Sequence, residues 1–188
     1  MKILLVVLGI LLLVGLMFAG KFVSVRNELA VQNEAIAGAW SQVDVALQRR
    51  ADLIPNLVNT VKGFATHEQQ VIDSVTAARA ALGGARTPQE KIAANSQLDG
   101  AISRLLVISE NYPNLKSNEN FMRLQDELAG TENRIAVERR KYNEVVQRYN
   151  TQIALFPNNL IASMSGFQRN DAYFKTDPGS RVAPKVAF

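Results

Sequence analysis

The 188-residue chain has room for one ordinary domain with accessories. Its net charge of +4 does not gather on one stretch, because residues 22–155 hold 15 basic and 15 acidic side chains; the surplus sits at the two ends, which suits a charged bilayer surface and argues against a nucleic-acid partner. The absence of cysteine excludes a disulfide framework, a zinc ribbon, a thiol nucleophile and a lipid-modified N-terminal cysteine.

From Ile3 to Gly20 run eighteen residues without a charge, bracketed by Lys2 and Lys21. As a helix this segment measures roughly 27 Å, close to the hydrocarbon thickness of a bilayer, so residues 1–21 are read as a transmembrane anchor. A cleaved signal peptide fits less well, since a cut after Ala19 places Met17 where a small residue is preferred. Lys21 and Arg26 on one side against Lys2 on the other favour, by a single charge, a bulk domain in the cytoplasm with the N-terminus outside.

Residues 22–156 read as a helical domain punctuated by Pro55, Pro88 and Pro113. Leu29, Ile36, Trp40, Val43, Leu47 and Ile54 mark the first stripe, on a helix expected to end between Arg49 and Pro55, with Asp52 capping the next. Joined to the anchor, it would make a rod of about 50 residues, roughly 75 Å long. A second helix carries Leu57, Val61, Phe64, Val71, Val75, Ala78 and Leu82 and closes at Gly83–Pro88. The third runs from Gln89 to about Asn111 through Ile92, Leu98, Ile102 and Leu105. In the fourth, Phe121, Leu128, Ile135, Tyr142, Tyr149 and Phe156 recur every seven residues, with Leu124, Thr131, Glu138, Val145 and Gln152 at the companion position. The chain is thus expected to be all-α, an antiparallel four-helix bundle behind one N-terminal transmembrane helix.

Arg50, Glu68, Thr131, Glu138 and Gln152 fall on positions that this pattern turns inward, where an unpaired charge costs several kcal/mol. They are the candidate polar network, with Arg50 expected to pair with Glu68 or Glu138. The spacing fits either a register-fixing network or a ligand site inside the bundle. Beyond Pro157, residues 157–188 form an irregular apolar and basic tail whose Phe167, Tyr173 and Phe174 are expected to dock on the bundle, on a neighbouring subunit or at the lipid surface; the closing Val186–Phe188 is compatible with each.

Catalytic inventory is thin. His67 is the one histidine, and its Thr66–Gln69 context lacks the second ligand of a zinc-protease helix because position 71 is valine. No phosphate-cradling glycine loop is present, and the acidic pairs and the Arg139–Lys141 run read as solvated faces. We therefore expect no enzyme, no cofactor and no metal; a hydrolase built on His67 and Glu68 is the weakest reading.

Three stretches, Trp40–Glu68, Glu110–Ser117 and Phe121–Ile135, the last continuing through Arg139–Asn143 and Val146–Asn150, resemble the LemA family of bacterial membrane proteins. The resemblance covers nearly the whole chain. It implies a mirror variant of the up-and-down four-helix bundle, a single N-terminal span in the bacterial cytoplasmic membrane, and no active site. Some relatives are linked to magnetosome membranes and others are encoded near membrane proteases, which implies a role in organising membranes or membrane complexes. The expected function is a non-enzymatic scaffold that partners the bilayer, itself as a homo-oligomer, and another membrane protein; the alternative is a small-molecule or ion sensor in the bundle core.

Overall fold

Six helices follow one another in the computed structural model, which describes residues 2–65 and 67–175: α1 (Lys2–Lys62), α2 (Gln69–Gly84), α3 (Pro88–Ser109), α4 (Pro113–Lys116), α5 (Glu119–Ala154) and α6 (Asn158–Met164). No strand occurs among the described residues, so their fold is all-helical. The described chain gathers into two compact units. One comprises residues 2–39 and 143–171, the other 40–142 and 172–175. The tail residues Val186–Phe188 lie outside the described residues.

The joint expected between Arg49 and Pro55 is absent, because α1 runs through Pro55 to Lys62. Proline inside a helix removes the N–H that would bond the carbonyl four residues earlier, here that of Ala51. That carbonyl belongs to a buried residue and would be an orphan acceptor. Arg79, on α2, supplies the donor: its Nε donates to Ala51 O at 2.9 Å. Asp52 accordingly caps no helix and sits mid-helix, accepting from Gln48 at 2.8 Å. The break falls instead after Lys62, where Phe64 and Ala65 N–H groups close the last turn onto Val61 O, and α2 begins at Gln69. Arg79→Met should cost about 1–3 kcal/mol by stranding a buried carbonyl. In a Pro55→Ala background, where residue 55 regains an N–H, the same change should cost much less; equal costs in denaturant melts would refute the pairing.

α3 starts where its sequence says. Thr87 Oγ1 accepts from Glu90 N at 3.2 Å, Glu90 Oε2 accepts from Thr87 N at 3.2 Å and from Arg86 N at 2.8 Å, and Pro88 occupies the first turn. The Arg86 and then the Thr87 backbone N–H hold the Glu90 carboxyl below its ordinary pKa. A depressed folded value means this support is present above the unfolded carboxylate pKa and is lost as pH falls through the folded one. Thr87→Ala should cost about 1 kcal/mol, measurable as a shift in the denaturation midpoint at neutral pH.

In the unit built around residues 40–142, the core is Val43, Leu47, Ile54 and Leu57 from α1, Ile72 and Val75 from α2, Leu98 and Leu105 from α3, Leu115 from α4, and Phe121, Ile135 and Tyr142 from α5. Each fully buried aliphatic or aromatic side chain stabilises by roughly 1.5–3 kcal/mol. On α5 the expected stripe is buried from Phe121 to Tyr149, but the companion positions drift: Val146 is fully buried where Val145 is half-buried, and Phe156 is 80% exposed. A 3.6-residue helix slips by about 20° per heptad against a seven-residue repeat, and this slip carries the buried face forward by one residue at the far end.

In the other unit, Val25 and Leu29 of α1 pack with Ile161 and Ala162 of α6, flanked by Phe22, Ile153 and Phe167. α6 ends in a left-handed Gly166 (φ 78°), the conformation that glycine adopts without penalty. Phe167 N bonds back to Ala162 O at 3.0 Å and Gly166 N to Ser163 O at 3.4 Å, which folds Phe167 onto the cluster. Residues 168–170 are then strapped to α5, with Tyr149 Oη donating to Gln168 O at 3.0 Å and Asn150 exchanging two hydrogen bonds with the Asn170 backbone at 2.7 and 2.9 Å. Burial raises the Tyr149 phenol above its ordinary pKa.

Candidate functional site

Position 50 lies seven residues after Val43 and four before Ile54, on the apolar stripe of α1, so the helix itself delivers a guanidinium to the interior. The Arg50 side chain is 6% exposed. Its Nη1 donates to Asp99 and, at 3.3 Å, to Asn95 Oδ1, both on α3, and stands 2.7 Å from Glu132 Oε2 on α5. The Glu132 contact is an ion pair without the alignment of a hydrogen bond. Asn95 Nδ2 in turn donates to Asp99 Oδ2 at 3.1 Å. The two carboxylates keep water contact, at 34% and 42% side-chain exposure, so the desolvated member is the arginine. One cation thereby ties three helices at one level, and its Nε is buried without a hydrogen-bond acceptor.

Beside this cluster lies a surface cleft of about 390 Å³, walled by Ile102, Ser103 and Leu106 of α3 and by Gln125, Leu128 and Ala129 of α5, with Arg50, Asp99 and Glu132 on its lining. A second cleft of about 410 Å³ is lined by Arg49, Thr131, Glu127 and Arg134 among others. Among the described residues, no three or more His, Cys, Asp or Glu side chains converge as metal ligands.

The five residues expected to form one network do not. Arg50 meets neither Glu68 nor Glu138. Glu68 lies in the turn before α2 and accepts from Tyr112 Oη at 2.8 Å; that carboxylate, and secondarily burial, raise the Tyr112 phenol above its ordinary pKa. Glu138 is buried and paired with Lys141 three residues on, at 3.1 Å. Thr131 Oγ1 donates to Leu128 O at 2.8 Å, and Gln152 Oε1 accepts from Asn158 Nδ2 at 2.9 Å. The inward heptad position is real for Arg50, Thr131 and Glu138, but the partners are set by which helix faces which. The missed residues carried a signal: Asn95 precedes Leu98 by three and Ile102 by seven, which puts a polar side chain on the α3 stripe.

Of the tail residues, Phe174 is buried and stacks on Trp40 at 6.0 Å between centroids and 21° between planes, while meeting Tyr142 edge-on at 5.9 Å; Trp40 and Tyr142 are themselves 5.3 Å apart at 67°. The Arg139 guanidinium lies 4.7 Å over the Phe174 ring. Tyr173 is half-buried, and Phe167 packs in the separate cluster around Val25 and Leu29. His67 is exposed in the turn ahead of α2.

An apolar N-terminal helix, an inward arginine and an aromatic clamp at residue 174 place the described residues in the all-helical class of proteins. The chain belongs to the LemA family, whose model matches residues 39–188. Among its relatives, the magnetosome protein MamQ 2 of Paramagnetospirillum magneticum is 25% identical over 178 residues, covering 81% of this chain and 65% of that protein. Protein LemA of Metamycoplasma hominis is 25% identical over 177 residues, covering 94% of this chain and 80% of its own length. The magnetosome protein MamQ of Magnetospirillum gryphiswaldense is 25% identical over 188 residues, covering 85% and 69%. The chain thus spans 65% of the length of MamQ 2, less than two thirds of it.

Proposed function

We propose that the protein is a non-enzymatic, single-pass scaffold of the bacterial cytoplasmic membrane that self-associates and organises membrane-protein complexes. The observation that carries this reading is the run Ile3–Gly20: it is helical, uncharged and solvent-exposed along its whole length, and α1 is long and apolar enough there to cross a bilayer. Fourteen large apolar side chains held in water would be unstable against transfer to lipid. The rest of the chain we read as an antiparallel four-helix bundle of the mirror up-and-down kind, in the cytoplasm, with the N-terminus outside. Two of the relatives are, by their names, magnetosome proteins, and this supports a role in organising a cellular structure.

The test is alkaline washing of membranes carrying the full chain and a variant lacking residues 2–20, followed by crosslinking in native membranes and imaging of the detergent-extracted protein. The full chain should stay in the pellet, the truncated one should be released, and a defined multi-subunit particle should appear. Release of the full chain removes the anchor; a strictly monomeric protein with no co-purifying partner removes the scaffold.

A second reading, a sensor of a small molecule or ion, is favoured by one observation, the cleft beside Arg50 with its buried, unaccepted Nε–H. Arg50→Met should then abolish a ligand response while the helical content stays intact, and retention of the response would remove the sensor.

A further inference from the structure

The chain from Tyr149 to Gln168 is twenty residues without a charged side chain, in a protein of which 20% is charged. It holds the end of α5, the turn at Leu155–Pro157 and all of α6. Ile161 and Ala162 face inward onto Val25 and Leu29. The opposite side of the same short helix presents Leu160 at 56% and Met164 at 72% exposure, one helical turn apart, and Phe156 just before it is 80% exposed. An apolar patch of this kind in water is costly, and in soluble proteins it marks a contact surface.

Its position within the unit identifies what covers it. α6 is held against the stretch of α1 that begins directly after Gly20. Phe22 and Val25 stand about 3 and 7.5 Å beyond Gly20 along the helix axis, within a headgroup layer some 5–8 Å deep, and Leu29, the other α1 partner of α6, stands about 13.5 Å beyond Gly20, above that layer. Lys21 and Arg26 are exposed at the same level, where anionic headgroups attract them. We propose that the Leu155–Met164 segment is a second membrane contact: α6 lies in the lipid interface beside the spanning helix, with Leu160, Met164 and Phe156 inserted among the upper acyl chains. The inward face fixes α6 to α1, and the outward face extends the apolar surface of Ile3–Gly20 sideways into the interface, as amphipathic interfacial helices do. Its consequence is mechanical: the unit of residues 2–39 and 143–171 is held at two points, which restrains its own rotation and tilt at the bilayer.

This inference rests on the spanning role of Ile3–Gly20, and the experiment separates the two. Because the chain has no cysteine, single cysteines can be introduced without a background. Leu160→Cys, Met164→Cys, Leu12→Cys inside the anchor and Ser96→Cys on the exposed face of α3 are labelled with an environment-sensitive fluorophore. The full-length proteins are reconstituted in phosphatidylethanolamine–phosphatidylglycerol vesicles with and without brominated acyl chains. Bromolipid quenching at positions 160 and 164 should be several-fold above that at 96 and approach that at 12. Quenching at 12 with none at 160 and 164 overturns the interfacial contact and leaves the anchor standing. No quenching at 12 overturns the anchor and this inference with it. Shielding of 160 and 164 from aqueous iodide without bromolipid quenching means that protein, such as a second copy, covers the patch, and that too overturns the lipid contact.

Discussion

Arg50→Ala should lower the unfolding free energy of the detergent-solubilised full chain by about 3 kcal/mol, the low end of the range for breaking a buried ion pair from one side. The low end applies because Asp99 and Glu132 retain 34% and 42% side-chain exposure and can be rehydrated, whereas the deleted guanidinium was 94% enclosed, its side chain being only 6% exposed. Two carboxylates share this one cation, so Asp99→Asn and Glu132→Gln alone should each cost about 1 kcal/mol or less, the surviving acid keeping the arginine paired. Removing both strands a buried charge, and the double variant should cost clearly more than the two singles together, a non-additivity that marks a shared partner. Denaturant melts followed by far-ultraviolet circular dichroism give all four numbers. Strict additivity, or an Arg50→Ala variant as stable as the parent, would mean that the cluster does not clamp the helices.

The aromatic clamp on the tail carries the second large effect. Phe174→Ala should cost about 3 kcal/mol, the lower part of the range for a buried phenylalanine, because it removes the ring stacked on Trp40, the edge contact with Tyr142 and the aromatic face beneath the Arg139 cation. Trp40 is the chain's one tryptophan, so the change reports itself: its emission should move to the red as water reaches the exposed indole face. Proteolysis at Lys175 or Arg169 should accelerate in parallel as the tail comes free. Phe174→Leu keeps apolar area but loses ring geometry and should cost less, retaining all but the roughly 0.5–1.5 kcal/mol specific to aromatic pairing together with a small packing loss. Unchanged Trp40 emission in Phe174→Ala would show that the stack is absent in solution.

Along the chain, legibility followed the range of the interaction. The start of α3 was readable to within a residue because Gly83–Pro88 punctuates the chain directly before it, whereas its end falls at Ser109, short of the expected Asn111. The α5 stripe was readable because side chains seven apart share a face whatever they pack against. Pro55 misled: its local effect is to break a helix, and what rescues α1 is Arg79 on α2, 28 residues beyond the Ala51 carbonyl that it satisfies. The inward Arg50 was visible from its spacing, yet its acids lie 49 and 82 residues on, at Asp99 and Glu132, and periodicity alone gives no means to choose them over Glu68 or Glu138.

By itself the sequence determined the helical class, the uncharged N-terminal run, the buried stripes and the family, since each is written in spacing or composition within a few turns of chain. Only the tertiary structure decided that α1 continues through its proline, that Asn95, Asp99 and Glu132 surround Arg50, and that Phe174 closes on Trp40. Those outcomes depend on which faces meet between residues far apart in sequence, and a side chain's spacing fixes the direction it points without fixing what stands opposite.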